Sequence, residues 1–224
     1  MSTVTSPSPP GAHCVRGGPL AACVLPVWLL LSPTPGEAAP GFRAELAALG
    51  GVVQPDPELA DFQWDATARP ALAVEATAGT GFAAGGLRVS SWSTVQESAD
   101  ARVRVDALEL RARVRAFRAG RLSCLGLLGL GRVRVGYRPD TVLVENPGGD
   151  PIPVSLDPVH AWTFGFGVAL EHPLSRRLVA GAELERSAFS LDAAHRDGEA
   201  IVVESTSFES LLVRLRLSYS LWSS

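Results

Sequence analysis

The chain contains no lysine: all 20 of its basic residues are arginine, set against 23 acidic residues for a formal net charge of -3. A nucleic-acid partner needs a clustered excess of positive charge, and this balance excludes one. Cysteine is scarce, with Cys14, Cys23 and Cys124 alone. If the first two leave with an N-terminal leader, the one remaining thiol forms no intramolecular disulfide. Disulfide scaffolds and CxxC metal or redox sites are thereby excluded. The body of the chain lacks any uncharged apolar run of about 18 residues, so no membrane-spanning helix is expected there. At 46% hydrophobic, the 224 residues are too apolar for intrinsic disorder. A globular or membrane protein of β or α/β type remains.

The N-terminus reads as an export signal over residues 1–38. Arg16 supplies the positive flank, Leu20 to Leu31 is apolar, and Gly36 and Ala38 stand where a signal peptidase inspects small residues. Leu20-Ala21-Ala22-Cys23 matches a lipoprotein cleavage box. Such a box must follow its apolar stretch, whereas here the stretch follows the cysteine, so lipidation is not expected.

From residue 39 to residue 224 the dominant period is two. In the last segment Leu211, Val213, Leu215, Leu217, Tyr219 and Leu221 alternate with Leu212, Arg214, Arg216, Ser218 and Ser220. Successive strand side chains point to opposite faces, so one face is apolar and the other mostly polar. Seven further segments alternate similarly, around residues 42–48, 62–78, 87–90, 108–116, 125–137, 162–170 and 178–185. In residues 101–120 the apolar parity slips between Ala107 and Leu108, which reads as a bulge or as a strand that outgrows the apolar zone. The connections alternate. Residues 79–81, 118–121 and 171–176 read as tight turns, and 53–61, 93–100, 138–158 and 190–207 as long loops. In an up-and-down meander, alternate connections share one end, so one end carries turns and the other four loops.

A soluble barrel turns its apolar face inward, and a transmembrane barrel turns it to lipid. The polar face here mixes Arg and Glu with Gly165, Gly167 and Gly181, which suits a narrow lumen. Leu211 to Leu221 has the length a bilayer-crossing strand requires. Aromatics cluster near strand ends: Phe62, Trp64, Trp92, Tyr137 and Trp162 at the loop end, and Phe42, Phe82, Phe117, Tyr219 and Trp222 at the turn end. Two such girdles mark membrane barrels. On these features the chain resembles the small eight-stranded outer-membrane barrels of Gram-negative bacteria, the OmpA/OmpX type. The resemblance is architectural. It implies an all-β, antiparallel, up-and-down transmembrane barrel in the bacterial outer membrane, a monomer whose partners are the lipid bilayer and the outer-membrane assembly machinery. Barrels of this type commonly end in an aromatic residue that this machinery reads; here Trp222 is followed by Ser223-Ser224.

Parity assigns Arg111, Arg113, Arg115, Arg132, Arg134, Glu183, Glu185, Arg214 and Arg216 to a lumenal charge network, with further members such as Arg88 and Glu75. Eight strands enclose just enough room for side chains, and unpaired buried charge is costly, so a salt-bridge plug is expected rather than a pore. The alternatives are a small-solute or hydrophobic-ligand channel, an exported soluble ligand-binding barrel, and a barrel-embedded lipid hydrolase using a loop histidine. His160, His172 and His195, with Asp192 and Asp197 nearby, match such a hydrolase in composition only, and no catalytic residue, cofactor or metal is expected. The loops carry Asp56, Glu58, Asp140, Asp150 and Asp157 among other acids, a candidate surface for cations or an extracellular ligand.

Overall fold

The computed structural model describes residues 41–97, 100–144, 150–197 and 200–223. The segment read as an export signal lies outside them, as do Glu145 and Glu199 and the side chains of 192–204 and of Trp222. No described helix is long and apolar enough to cross a membrane.

Ten strands form: β1 Arg43–Gln54, β2 Arg69–Gly79, β3 Ala83–Gln96, β4 Ala101–Ala119, β5 Leu122–Arg138, β6 Thr141–Val144, β7 Ile152–Ser155, β8 Val159–Pro173, β9 Leu178–Asp197 and β10 Ala200–Ser223. Eight close into an antiparallel barrel in the order β1-β10-β9-β8-β5-β4-β3-β2, while β6 and β7 form a separate hairpin. Tight turns join the strands at one end. The Thr80 hydroxyl accepts the Phe82 and Ala83 amides, each at 3.3 Å. Gly120 turns the chain at φ 60°, a conformation open to glycine without penalty.

The other end departs from expectation. The alternating segment expected over 62–78 begins as a strand only later: β1 runs to Gln54, a short 3-10 helix spans Pro57–Phe62, and β2 starts only at Arg69. The long connection between β5 and β8 holds the β6–β7 hairpin. The two other expected loops are mostly strand. The β3–β4 ladder persists to Gln96 opposite Ala101, and the β9–β10 ladder to Asp197 opposite Ala200. The barrel wall therefore rises well past the apolar belt.

That extension reverses the polarity of the wall. In the belt, Leu72, Leu87, Leu110, Leu130, Phe166, Leu184 and Leu215 point outward and are about half exposed or more, and Glu75, Arg88, Glu109, Arg111 and Glu185 point inward and are buried. Above it, Val103, Val105, Val133, Val135, Phe189, Phe208 and Leu212 point inward. They pack around Trp92 and around Leu59 and Trp64 from the first loop, forming one apolar cluster. On the same strands Arg102, Arg104, Arg132 and Arg134 now face outward. Phase is unbroken through β4 between Ala107 and Leu108; the register shift in that strand lies between Arg115 and Phe117. The parity slip thus marks a strand leaving the apolar zone. Lipid outside and charge inside give way to water outside and an apolar core inside.

Trp64 and Trp92 belong to this cap and not to an outer girdle, with Tyr137 packed against it. Trp64 meets Tyr137 edge-on, with ring centroids 6.4 Å apart. At the loop end Trp162 keeps the outward position, 63% exposed. Phe42, Phe117 and Tyr219 face outward at the turn end.

Candidate functional site in the barrel interior

The interior is built from one to three inward residues of six of the eight barrel strands. β2 contributes Glu75, β3 Arg88, β4 Glu109, Arg111 and Arg113, β8 Glu171, β9 Glu183 and Glu185, and β10 Arg214 and Arg216. Arg88 is the hub, with no exposed side-chain surface. Its Nε donates to Glu75 at 2.7 Å, Nη1 to Glu185 at 2.8 Å and Nη2 to Glu183 at 2.6 Å. One planar guanidinium thus ties β3 to β2 and, across the lumen, to β9. Lysine carries its three donors on one nitrogen and lacks the planar fork that spreads these contacts over three.

Arg111 grips Glu185 with both terminal nitrogens, at 2.6 and 3.0 Å. Arg214 adds a third cation to Glu185 at 3.2 Å. Towards the turn end Arg113 reaches Glu171 at 2.5 Å and Glu75 at 3.4 Å. Arg216 lies 3.3 Å from Glu75, 3.5 Å from Glu171 and 3.7 Å from Glu45. Five buried arginines thereby face four buried glutamates, Glu75, Glu109, Glu183 and Glu185, with the half-buried Glu45 and Glu171 below. Burying so much charge is tolerable only because nearly every group has opposite neighbours.

Glycine makes the room. A Cβ on Gly165 would stand 2.5 Å from Glu185 Oε1, and one on Gly129 would fall on the Arg111 guanidinium. Between the charges and the apolar cap lies a layer of hydroxyls, Ser90, Thr163, Ser187 and Ser210, in which Thr163 and Ser187 are bonded at 3.1 Å. The cavity at this level measures about 30 Å³, and a polar opening at the turn end about 80 Å³. Ligand pockets run to roughly 300 Å³ or more, so these two spaces are of solvent size.

Of the nine residues assigned to the lumen from sequence, Arg111, Arg113, Glu183, Glu185, Arg214 and Arg216 come together in the network. Arg115 borders the turn-end opening. Arg132 and Arg134 do not belong: both face outward and are exposed, and Val133 and Val135 point inward in their place. Arg132 lies over the Trp162 ring, 5.2 Å from its centroid. The physical reason is the polarity reversal. The missed signal is the parity of Gly129 and Gly131, which share the inward face with Val133 and Val135. The hub Arg88 followed from parity but did not stand out among its equals. Trp64, Trp92 and Leu59 of the cap were not anticipated. Among the described residues no group of three or more His, Cys, Asp or Glu side chains is placed to hold a metal. His160 and His172 are exposed, and the side chains of His195, Asp192 and Asp197 lie outside the described residues.

Outside the membrane belt, Asp65 sits at the end of the first loop. The Thr67 side chain and then its amide hydrogen-bond the carboxylate and, with Arg69, hold its pKa below the usual aspartate range.

No protein-family model and no curated protein matches the chain in sequence. Solved structures do match its fold. Neisserial surface protein A superposes with TM-score 0.50 at 10% identity, covering 83% of this chain and all (100%) of that one. A major outer membrane protein from Thermus thermophilus gives TM-score 0.49 at 14% identity, covering 80% and 99%. Ail, the attachment invasion locus protein of Yersinia pestis, gives 0.43 at 11%, covering 82% and 100%. The closed eight-stranded meander, the outward apolar belt and the first of these likenesses together establish the fold: a small antiparallel β-barrel of the outer-membrane type.

Proposed function

We propose that the protein is a non-conducting, non-enzymatic barrel of the bacterial outer membrane. It seals the membrane it crosses and presents its loop end, with the 3-10 helix and the β6–β7 hairpin, to the outside. The observation that carries this reading is the stacking of two different fillings in one lumen. The arginine–glutamate network occupies the section within the apolar belt, and the apolar cap occupies the section above. An ion must break charge pairs to pass the first and shed its water to pass the second. A transporter for an apolar ligand needs a cavity of ligand size inside the wall, and the interior spaces noted above are far smaller.

The outward belt supports the membrane assignment. Along β10, Leu211 to Leu221 are outward-facing and largely exposed at every second residue. With a strand tilt near 45° that stretch spans about 25 Å, the height of an outer-membrane apolar band. The test is planar-bilayer recording on the purified barrel. No conductance steps are expected; reproducible single-channel openings overturn the sealed reading. Recovery of the native protein in the soluble periplasmic fraction overturns the membrane reading itself.

A further inference from the structure

The barrel's outer surface above the apolar belt is not uniform in charge. On the β4–β5 side Arg102, Arg104, Arg132, Arg134 and Arg138 face outward or are exposed, five arginines against three acids: Asp106 on β4, and Asp140 and Asp157, which line an adjoining depression with Arg104, Arg134 and Arg138. Register places them as neighbours: Arg102 is opposite Arg138, and Asp106 is opposite Arg134. One row lower stands Leu108 opposite Arg132, and below that Leu110 opposite Leu130, which is the belt. On the β9–β10 side, among the described residues, Arg186 is paired with Glu209.

A groove of about 430 Å³ runs down this basic side, lined by Pro70 and Leu72 of the belt and by Ser93, Arg102, Arg104 and Arg138 above. It is continuous from lipid-facing leucine to guanidinium within one depression. Arg102 gives one N–H to Ser93 at 3.2 Å, and Arg104 gives its Nε to Asp106 at 2.9 Å. A guanidinium has five N–H donors, so most of their donor capacity is not spent on these bonds.

We propose that this groove binds a phosphorylated lipid of the leaflet at the loop end, its acyl chain along Leu72 and its phosphate in the fork of Arg104 and Arg138. The inference rests on the membrane reading above. Charge and position select the occupant. Phosphate oxygens match arginine forks in pairs, and basic residues just above a hydrocarbon belt sit at head-group height, where they attract anionic lipid. Lower on the same strand, where the belt ends, Arg132 lies over the outward Trp162, an interfacial aromatic beneath the basic rows.

The test uses the full chain, inserted in phosphatidylcholine bilayer discs carrying diphosphoryl lipid A or its dephosphorylated form, with retained lipid counted by native mass spectrometry. The diphosphorylated lipid is expected to be retained in preference to the dephosphorylated one. R104Q/R138Q is expected to weaken that retention about tenfold or more, the value of losing one or two charge-assisted hydrogen bonds. R186Q, at an arginine already paired with Glu209, should change nothing. Equal retention of both lipids, or an R104Q/R138Q value within about twofold of wild type, overturns the proposal. So does full displacement by inorganic phosphate alone at matched concentration, which would make this a small-anion site. If the double variant does not reach the heat-modifiable barrel band, the wild-type comparison of the two lipids still decides. A wild-type chain that fails to insert in the discs at all contradicts the membrane reading instead.

Discussion

Replacing Arg88 by methionine keeps most of the side-chain volume and removes the central cation. Three carboxylates lose their contacts with it at 2.6 to 2.8 Å, those of Glu75, Glu183 and Glu185. They are not left equally exposed to the loss. Glu185 keeps Arg111 at 2.6 Å and Arg214 at 3.2 Å. Glu75 keeps Arg216 at 3.3 Å and Arg113 at 3.4 Å. Among the described residues Glu183 keeps only Arg113 at 3.7 Å and Arg216 at 3.9 Å, both outside hydrogen-bond range. Breaking a buried pair by deleting one partner costs about 3–5 kcal/mol. R88M should therefore lower the unfolding free energy by that amount, most of it falling on Glu183. Adding E183Q should then recover about 1–2 kcal/mol, because the double variant no longer buries that carboxylate without its partner. Equilibrium urea unfolding in lipid vesicles, followed by heat-modifiable gel migration, reads both numbers. A loss under about 1 kcal/mol for R88M refutes the hub role. So does an E183Q addition that destabilises further.

Leu215→Arg puts a charge on the lipid face near mid-belt, where Leu215 is 72% exposed, and should cost about 2–4 kcal/mol in the same unfolding assay. Single-tryptophan variants separate cap from girdle: fluorescence of Trp162 should be quenched by brominated lipids, and that of Trp64 and Trp92 should not. Gly131→Ala drives its new methyl into the Leu108 carbonyl oxygen, a backbone atom, and should destabilise by about 1–3 kcal/mol; Gly129→Ala meets the movable end of Arg111 and should cost less. Asp65 should titrate below a model-peptide aspartate when its carboxyl resonance is followed with pH. Because its folded pKa is the depressed one, its stabilisation of the first loop is present above the ordinary aspartate value and lost as pH falls through the lower folded value. Thr67→Val should move that midpoint upward.

How much of this was legible in the sequence varied along single strands. The last strand showed its faces plainly, because the outward positions from Leu211 to Leu221 stay apolar and the inward ones from Arg214 to Ser220 are Arg and Ser. Tight turns showed through Gly79 to Gly81 and Gly120. On β5 the same alternation misled. Arg132 and Arg134 look lumenal if apolar always means outward, yet the strand crosses from lipid to water between Leu130 and Arg132. Period two gives two faces but not which is inside, and that assignment changes wherever the wall leaves the bilayer. The small residues Gly129 and Gly131 hold the answer, since a narrow lumen admits them and lipid does not require them. The cap stayed hidden for a different reason. It joins Leu59 and Trp64 of a loop to Trp92 and Phe208, residues brought together by closure and not by local pattern.

The charge network also bears on the order in which the barrel is made. Its central bonds join positions 95 and 97 residues apart, Arg88 to Glu183 and Glu185. Arg216 on the last strand approaches Glu45 on the first. No set of consecutive hairpins satisfies these groups by itself. An open sheet in the membrane would leave Arg88 with its register neighbours Glu75 and Glu109, and would part Glu183 and Glu185 from it. Half-built barrels are therefore penalised by their own interior, and the penalty disappears only when β1 meets β10. Insertion should be cooperative and late, with few stable intermediates between the unclosed chain and the finished wall.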